Sequence, residues 1–343
     1  MKVCVFGAGA VGGHIAARLL TAGKRETSIV ARGAHLEAIR RDGLRLRLDG
    51  REAAVRPLAA TQAPAALPAQ DLVIVALKAH ALPGAAADIA ALLAPGGAAL
   101  FVVNGIPWWW HHGMPGAPGP LPLLDPAGRL WRLLRTRALG GICLWSSEVT
   151  APGTVVTARD GALVVGEPDG SRSARLGDAG AILRQAGIDV RESTDLRADI
   201  WEKLAINASL NPVSALTRLA TLDIMSRADL RACLAAVIAE VTAIARACGS
   251  EIRPDVAALL DPARRPAAHR SSMLQDVLAG RALETDALLG QVVEFARARG
   301  VAAPRCESLL AQLRGLAQGA PSSAIDAPSS AIEAPSSADG LRH

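Results

Sequence analysis

The chain has 343 residues, half of them hydrophobic, and a formal net charge of +5 at neutral pH. That length accommodates two domains with a large core. The arginines are scattered and no basic run is interleaved with aromatics, which argues against a nucleic-acid partner, while a mild positive excess suits small anionic ligands.

No uninterrupted apolar run is long enough to span a bilayer, and the apolar opening "KVCVF" is too short for a signal core, so no membrane and a soluble cytoplasmic protein are expected. The five cysteines stand far apart, with no CxxC and no Cys/His cluster, which fits free thiols and no metal site.

In chain order, "KVCVF" predicts a short buried strand and residues 11–22 a small-residue helix. "TSIVA" predicts a second strand and "HLEAIRRDG" a second helix closed by Gly43. "LRLRL" and "AAVRPL" alternate like a meander, and "DLVIVAL" is near-continuously apolar, as in a parallel strand covered on both faces. A further helix ends at Leu93, before the strand "AALFVV". This alternation predicts an α/β fold, a Rossmann-type doubly wound sheet. "WSSEVTAPGTVVTA" and "GALVVGEP" read as strands joined by turns, and "ARLGDAGAILRQAG" as a helix. From Asp195 the pattern is helices only, over 195–219, 229–248, 283–299 and 308–316. The expected organisation is a nucleotide-binding unit over 1–193, an all-α C-terminal unit over 194–318 and a disordered tail over 319–343. The tail repeats "APSSA" at seven-residue spacing, but Pro and paired Ser in every unit exclude a coiled-coil seam.

"GAGAVG" places Gly7, Gly9 and Gly12 in a GxGxxG pattern that leaves a strand and opens a helix. Gly7 allows the tight turn, Gly9 a close approach of a pyrophosphate, and Gly12 close helix–strand packing. With Ala8, Ala10 and Val11, the loop offers backbone N–H groups to an anion. An NAD enzyme usually carries a carboxylate at the end of the second strand, but this chain has Arg32, whose guanidinium suits a 2′-phosphate. NADP(H) is therefore the expected cofactor, with a solvated surface arginine as the plain alternative. Lys78 ends "DLVIVALK" and Asn104 follows "AALFVV", so both fall at the carboxyl edge of the sheet, where open α/β folds bind ligands. On position alone, Lys78 reads equally as a helix-start surface lysine and Asn104 as an ordinary Asn-Gly turn.

In "IWEKLAINASLNPVSAL", Lys203, Asn207 and Asn211 recur every four residues on one helix face, and Pro212 deprives the Ala208 carbonyl of its usual donor. A partly buried ammonium beside a hydride acceptor can stabilise the developing oxyanion and then protonate it. The asparagines can bind polar groups of a substrate and orient the lysine. The structural alternative is a lysine that snorkels to solvent, with both asparagines in an inter-domain hydrogen-bond network.

"GAGAVG", "VALK", "VVNG", "WEKLAINASLNPVSAL" and "SSMLQDVLAGRALETD", in this order, resemble the ketopantoate reductase (2-dehydropantoate 2-reductase) family over nearly all of residues 1–318. The resemblance implies NADPH-dependent reduction of the 2-oxo acid ketopantoate to pantoate, for pantothenate synthesis. It implies a general acid at Lys203, substrate contacts at Asn207, Asn211 and Ser272, and an active-site glutamate at Glu284. Lys78 and Asn104 match residues lining the nicotinamide and substrate cleft, so the implied cofactor contacts are the 7–12 loop, Arg32, Lys78, Asn104 and Glu284. A hydroxyl at Ser272 can hold a carboxylate, and Glu284 at a helix start could keep a desolvated lysine protonated. His269 stands where some members carry another asparagine. Two rivals remain: a paralogous reductase for a different 2-oxo acid, and a non-catalytic NADP-sensing protein on the same fold. The assembly is open, a homodimer included.

The segment "IPWWWHHGMPGAPGPLPLLDPAGRLW" is longer than the minimal family connection and holds Trp108, Trp109, Trp110 and Trp131, four of the six tryptophans. Its Gly and Pro residues over 113–122 forbid a regular element there. It is expected to act as a lid with one indole over the substrate, or else to pack all its indoles between the two units.

Overall fold

The alternation predicted for the first half is present in the computed structural model, which describes residues 1–24, 26–116, 118–261 and 270–318. The repeat tail and His269 lie outside the described residues. β1 (Val3–Phe6), α1 (Ala10–Thr21), β2 (Thr27–Val30) and α2 (Gly33–Asp42) come first, then β3 (Leu44–Leu48), β4 (Arg51–Val55), β5 (Ala60–Thr61) and β6 (Gln70–Val75). α3 (Leu82–Leu92), β7 (Leu93–Val102), α4 (Arg129–Leu134), β8 (Ala138–Cys143), β9 (Ser147–Ala151), β10 (Thr154–Thr157), β11 (Leu163–Gly166), α5 (Ala174–Gln185) and β12 (Val190–Glu192) follow.

Eight strands form one sheet in the order β12-β11-β8-β7-β6-β1-β2-β5. All four residues of β1 are buried, because helices and the second sheet's layer cover both faces. The pairing is parallel except between β8 and β11, which run antiparallel, so the sheet is mixed. The early meander and the later turn-joined strands combine: β4, β3, β10 and β9 make a second sheet in which β3 and β10 pair in parallel. "LRLRL" buries its alternate leucines and so needs a surface to press against. That surface is α1: Leu44, Leu46 and Val155 join Ile15 and Leu19 in one cluster. Gly13 permits the contact, since a Cβ there would lie 2.7 Å from Val155 Cγ2.

The C-terminal half is helical: α6 (Leu196–Thr217), α7 (Thr221–Ser226), α8 (Ala228–Ala247), α9 (Val256–Leu259), α10 (Ser272–Leu278), α11 (Gln291–Arg299) and α12 (Pro304–Gln318). A π-helical turn over Asp286–Gly290 leads into α11. α6 is apolar on nearly every side and is accordingly the central helix, packed on α8, α10 and α12. It runs through Pro212, and the Ser209 hydroxyl donates to the carbonyls of Ala205 and Ile206. No described helix is long and apolar enough to cross a membrane.

The tryptophan segment overturns the lid expectation. Trp108, Trp109 and Trp110 are at most 3% exposed. Trp108 meets Phe101 edge-on at 5.2 Å, and Trp110 lies 5.7 Å from both Trp201 and Phe295. Arg197 donates to the Trp110 and His112 carbonyls. The glycines and prolines do keep the path irregular, but three large apolar side chains belong in the interior. They join sheet and helices into one continuous core. The "GG" of β8 is part of that fit: a Cβ on Gly140 would sit 2.4 Å from the Trp109 ring.

Candidate active site

The glycine loop has the shape its spacing requires. Gly7 adopts φ +98°, and a Cβ on Gly12 would lie only 2.0 Å from the Gly7 carbonyl oxygen, so α1 crosses β1 as closely as backbones can. A Cβ on Gly9, the cap of α1, would meet nothing within 4 Å. The first N–H groups of α1 therefore adjoin open space, a cradle that fits a pyrophosphate. Arg32 stands at the end of β2 as the cap of α2, exposed, and its guanidinium has no hydrogen-bond partner among the described residues.

The remaining site residues meet where the two halves join. Lys203, in the second turn of α6, donates to Asn104 Oδ1 at 2.7 Å. Asn104 leaves β7 into Gly105, where φ is +80° and a Cβ would lie 2.2 Å from the Ala287 carbonyl oxygen. Ile106 N–H donates to that same carbonyl at 2.8 Å. The chain is thus pressed against the π-helical turn, and this delivers Asn104 to the lysine. Burial pushes the Lys203 ammonium below the ordinary amine range, and the field of Glu284 pulls it back only in part. Val102 pairs with Gly141, so two residues further on Cys143 comes level with Asn104. Burial pushes the Cys143 thiol up to about 11, so at neutral pH it is uncharged and offers Lys203 no counter-ion.

Lys78 has the opposite surroundings. Its Nζ donates to Asp276 Oδ2 at 2.7 Å and to Glu284 Oε2 at 3.1 Å, and Ala79 N–H donates to the other Glu284 oxygen at 3.0 Å. Both carboxylates are only 4% exposed, and Asp276 also accepts from Arg281 Nε at 3.0 Å. Burial pulls Lys78 down, but the two carboxylates outweigh it and hold the ammonium above the ordinary lysine range.

These contacts correct two expectations. Glu284 stands at a helix start as predicted, but its direct partner is Lys78, and it reaches Lys203 only through its field. Lys203 is oriented by Asn104 and not by the asparagines of its own helix. Asn207 is half-buried, Asn211 buried and Ser272 half-buried at the start of α10, which packs on α6. Their side chains make no hydrogen bond among the described residues. Ser271 caps α10 by accepting Leu274 N–H, which leaves the Ser272 hydroxyl free. Sequence reasoning missed Asp276 and Cys143. Asp276 lies inside "SSMLQDVLAGRALETD", but α10 ends at Leu278, so no single helix relates it to Glu284; Cys143 reads as one more strand residue.

Two family profiles match this chain: "Ketopantoate reductase PanE/ApbA" over residues 3–170 and "Ketopantoate reductase PanE/ApbA C terminal" over residues 195–317. The chain belongs to this family. It is 39% identical to the 2-dehydropantoate 2-reductase of Mesorhizobium japonicum over 323 residues, 92% of this chain and 98% of the relative. A PanE/ApbA family ketopantoate reductase from Ralstonia eutropha superposes with TM-score 0.80 at 29% identity, over 93% of this chain and 99% of that one. D-mandelate dehydrogenase, in a ternary structure with NADH and anilino(oxo)acetate, shares the fold at TM-score 0.79 and 20% identity, covering 93% of this chain and 99% of that one. Membership in the ketopantoate reductase family makes this chain an NAD(P)-dependent oxidoreductase.

Proposed function

We propose that this chain reduces the ketone of a 2-oxo acid with NADPH, and that the acid is ketopantoate, giving pantoate for pantothenate synthesis. The observation that carries the reading is the Lys203–Asn104 pair: a desolvated ammonium with a neutral partner, at the carboxyl edge of a dinucleotide-binding sheet. Such an ammonium gives up its proton more readily than a salt-bridged one. The relatives named 2-dehydropantoate 2-reductase support the choice of acid.

When bound, NADPH supplies the hydride to the carbonyl carbon. Lys203 stabilises the charge that grows on the ketone oxygen and transfers its proton there, leaving an alcohol and a neutral amine that solvent reprotonates. Asn104 fixes the lysine rotamer. Asn207, Asn211 and Ser272, whose polar groups are free, bind the acid's carboxylate and hydroxyl. The 7–12 loop holds the pyrophosphate, Arg32 the 2′-phosphate, and Lys78, Asn104 and Glu284 line the nicotinamide side. In this reading residues 1–193 carry the nucleotide and 194–318 the proton donor and the acid.

A panel of 2-oxo acids, ketopantoate included, assayed by NADPH absorbance, tests it. Ketopantoate is expected to give the highest kcat/KM. A different preferred acid moves the chain to a paralogous reductase. Tight NADPH binding with no oxidation by any acid sinks the reductase reading in favour of a cofactor sensor.

A further inference from the structure

His35 is the third residue of α2, and its ring touches two backbones that are far apart in sequence. Nε2 lies 2.8 Å from the carbonyl oxygen of Ala8, inside the glycine loop. Gly153 N–H, in the turn between β9 and β10, donates to Nδ1 at 3.0 Å. An amide N–H can only donate, so Nδ1 must be bare; a carbonyl can only accept, so Nε2 must carry the proton. Both contacts are satisfied by one neutral tautomer alone.

The two anchor points differ in firmness. The turn is held already: the Gly153 carbonyl accepts Arg45 N–H at 2.8 Å, and a Cβ on Gly153 would lie 3.0 Å from Ala38 of α2. Ala8 sits between two glycines, and no other hydrogen bond reaches its carbonyl among the described residues. We propose that His35 is a positioning residue for the cofactor: its imidazole bolts the glycine loop to the second sheet and so presets the backbone that grips the dinucleotide phosphates. The proposal rests on the reading that this loop holds NADP(H).

The charged residues on the elements packed there are Glu37, Arg40, Arg41 and Asp42 on α2, with Arg32 at its cap, Arg45 and Arg47 on β3 and Glu148 on β9, and none of them hydrogen-bonds the ring. Burial pulls the imidazole below its ordinary range, and the Ala8 carbonyl opposes this more weakly. A proton added at Nδ1 would point at the Gly153 N–H and break that bond while sparing the one to Ala8. The bridge is therefore intact at neutral pH and opens on acidification.

Calorimetric titration with NADP⁺, which unlike NADPH survives acid, tests the idea on the wild type, His35→Ala and His35→Gln. Two neutral hydrogen bonds correspond to about a tenfold rise in Kd for His35→Ala, with kcat at saturating NADPH unchanged. Glutamine carries a donor and an acceptor but does not titrate. His35→Gln should recover most of the affinity at neutral pH and lose less of it than the wild type as the pH is carried down past the lowered imidazole pKa, well below about 6.5. The 2′-phosphate titrates in both proteins and cancels from that comparison. Nitrogen-15 NMR of the cofactor-free wild type should show Nδ1 bare and Nε2 protonated. Normal wild-type binding with an unaltered Kd in His35→Ala overturns this proposal alone, as does a proton found on Nδ1. If His35→Ala does not fold, equal pH slopes in the wild type and His35→Gln overturn it. A wild type that does not bind NADP⁺ overturns the cofactor reading and the proposal together.

Discussion

Two lysines stand at the same edge of the main sheet, both half-buried, and their surroundings set opposite acidities. Lys78 lies between two buried carboxylates at hydrogen-bond distance and is held above the ordinary amine range. Lys203 faces an amide oxygen and a neutral thiol, and burial carries it below that range. One is a fixed charge and the other a transferable proton. A third buried base shows where the balance turns. His14 is fully buried against Trp145, with Asp160 Oδ1 3.7 Å from Nε2, yet burial still pushes it down to about 4. Asp160 is already engaged by Arg18. The carboxylates outweigh desolvation at Lys78, where both reach hydrogen-bond distance, and not at His14, where Asp160 stands 3.7 Å away.

Replacing the transferable proton should have the largest effect. Lys203→Met is expected to lower kcat about a hundredfold or more and to leave NADP⁺ affinity intact; near-normal turnover would remove the contrast between the lysines. His14 gives the next effect. The unfolded imidazole takes a proton near 6.5, whereas the buried one resists until about 4, so stability should fall as pH drops through that window. The shift corresponds to about 3 kcal/mol in all. Urea midpoints of the wild type against His14→Gln would measure it, and a difference that does not change with pH would mean that the buried ring takes its proton as easily as an unfolded one.

Lys78→Met should cost less, about 1–2 kcal/mol after allowing for its partial exposure, because Asp276 keeps Arg281. Adding Asp276→Asn should recover part of that loss in the same unfolding assay. If Lys78→Met is as stable as the wild type, the carboxylates do not depend on the ammonium. The smallest expected effect comes from Cys143→Asp, which supplies the counter-ion Lys203 lacks. Ketone reduction needs the proton on the lysine, so kcat/KM should fall as pH rises through the Lys203 pKa, below the usual 10.5. A carboxylate at 143 should move that alkaline limb upward by about one unit, and an unmoved limb would show that Cys143 does not tune it.

Part of the site was legible in the residues themselves, where it depends on local patterns. The glycine loop declares itself by its strand–turn–helix context, and Lys203 by its spacing with Asn207 and Asn211 on a helix otherwise too apolar to tolerate a cation. What depends on long-range pairing was not legible. Nothing near Asn104 in the chain marks it as the partner of Lys203, since that contact exists only once β7 meets α6. Asp276 was hidden for the same reason. The pairing of β3 with β10 joins strands about a hundred residues apart, and no local periodicity encodes it. In the tryptophan segment, glycines and prolines predicted the irregular path correctly but carry no information on whether the path runs inside or outside. His35 looks like a polar residue on a surface helix until the β9–β10 turn is laid against it.

Gly105 touches none of this chemistry, yet its missing side chain sets the clearance between the halves, with the Ala287 carbonyl 2.2 Å from where a Cβ would be. Even an alanine there acts as a wedge. It would part Asn104 from Lys203 while leaving every functional group in the chain. In a saturation screen scored by growth, position 105 would rank beside Lys203 and look like part of the reaction machinery. What it holds is a spacing, and purified protein would show the difference: cofactor still bound, catalytic groups all present, and the two halves out of register.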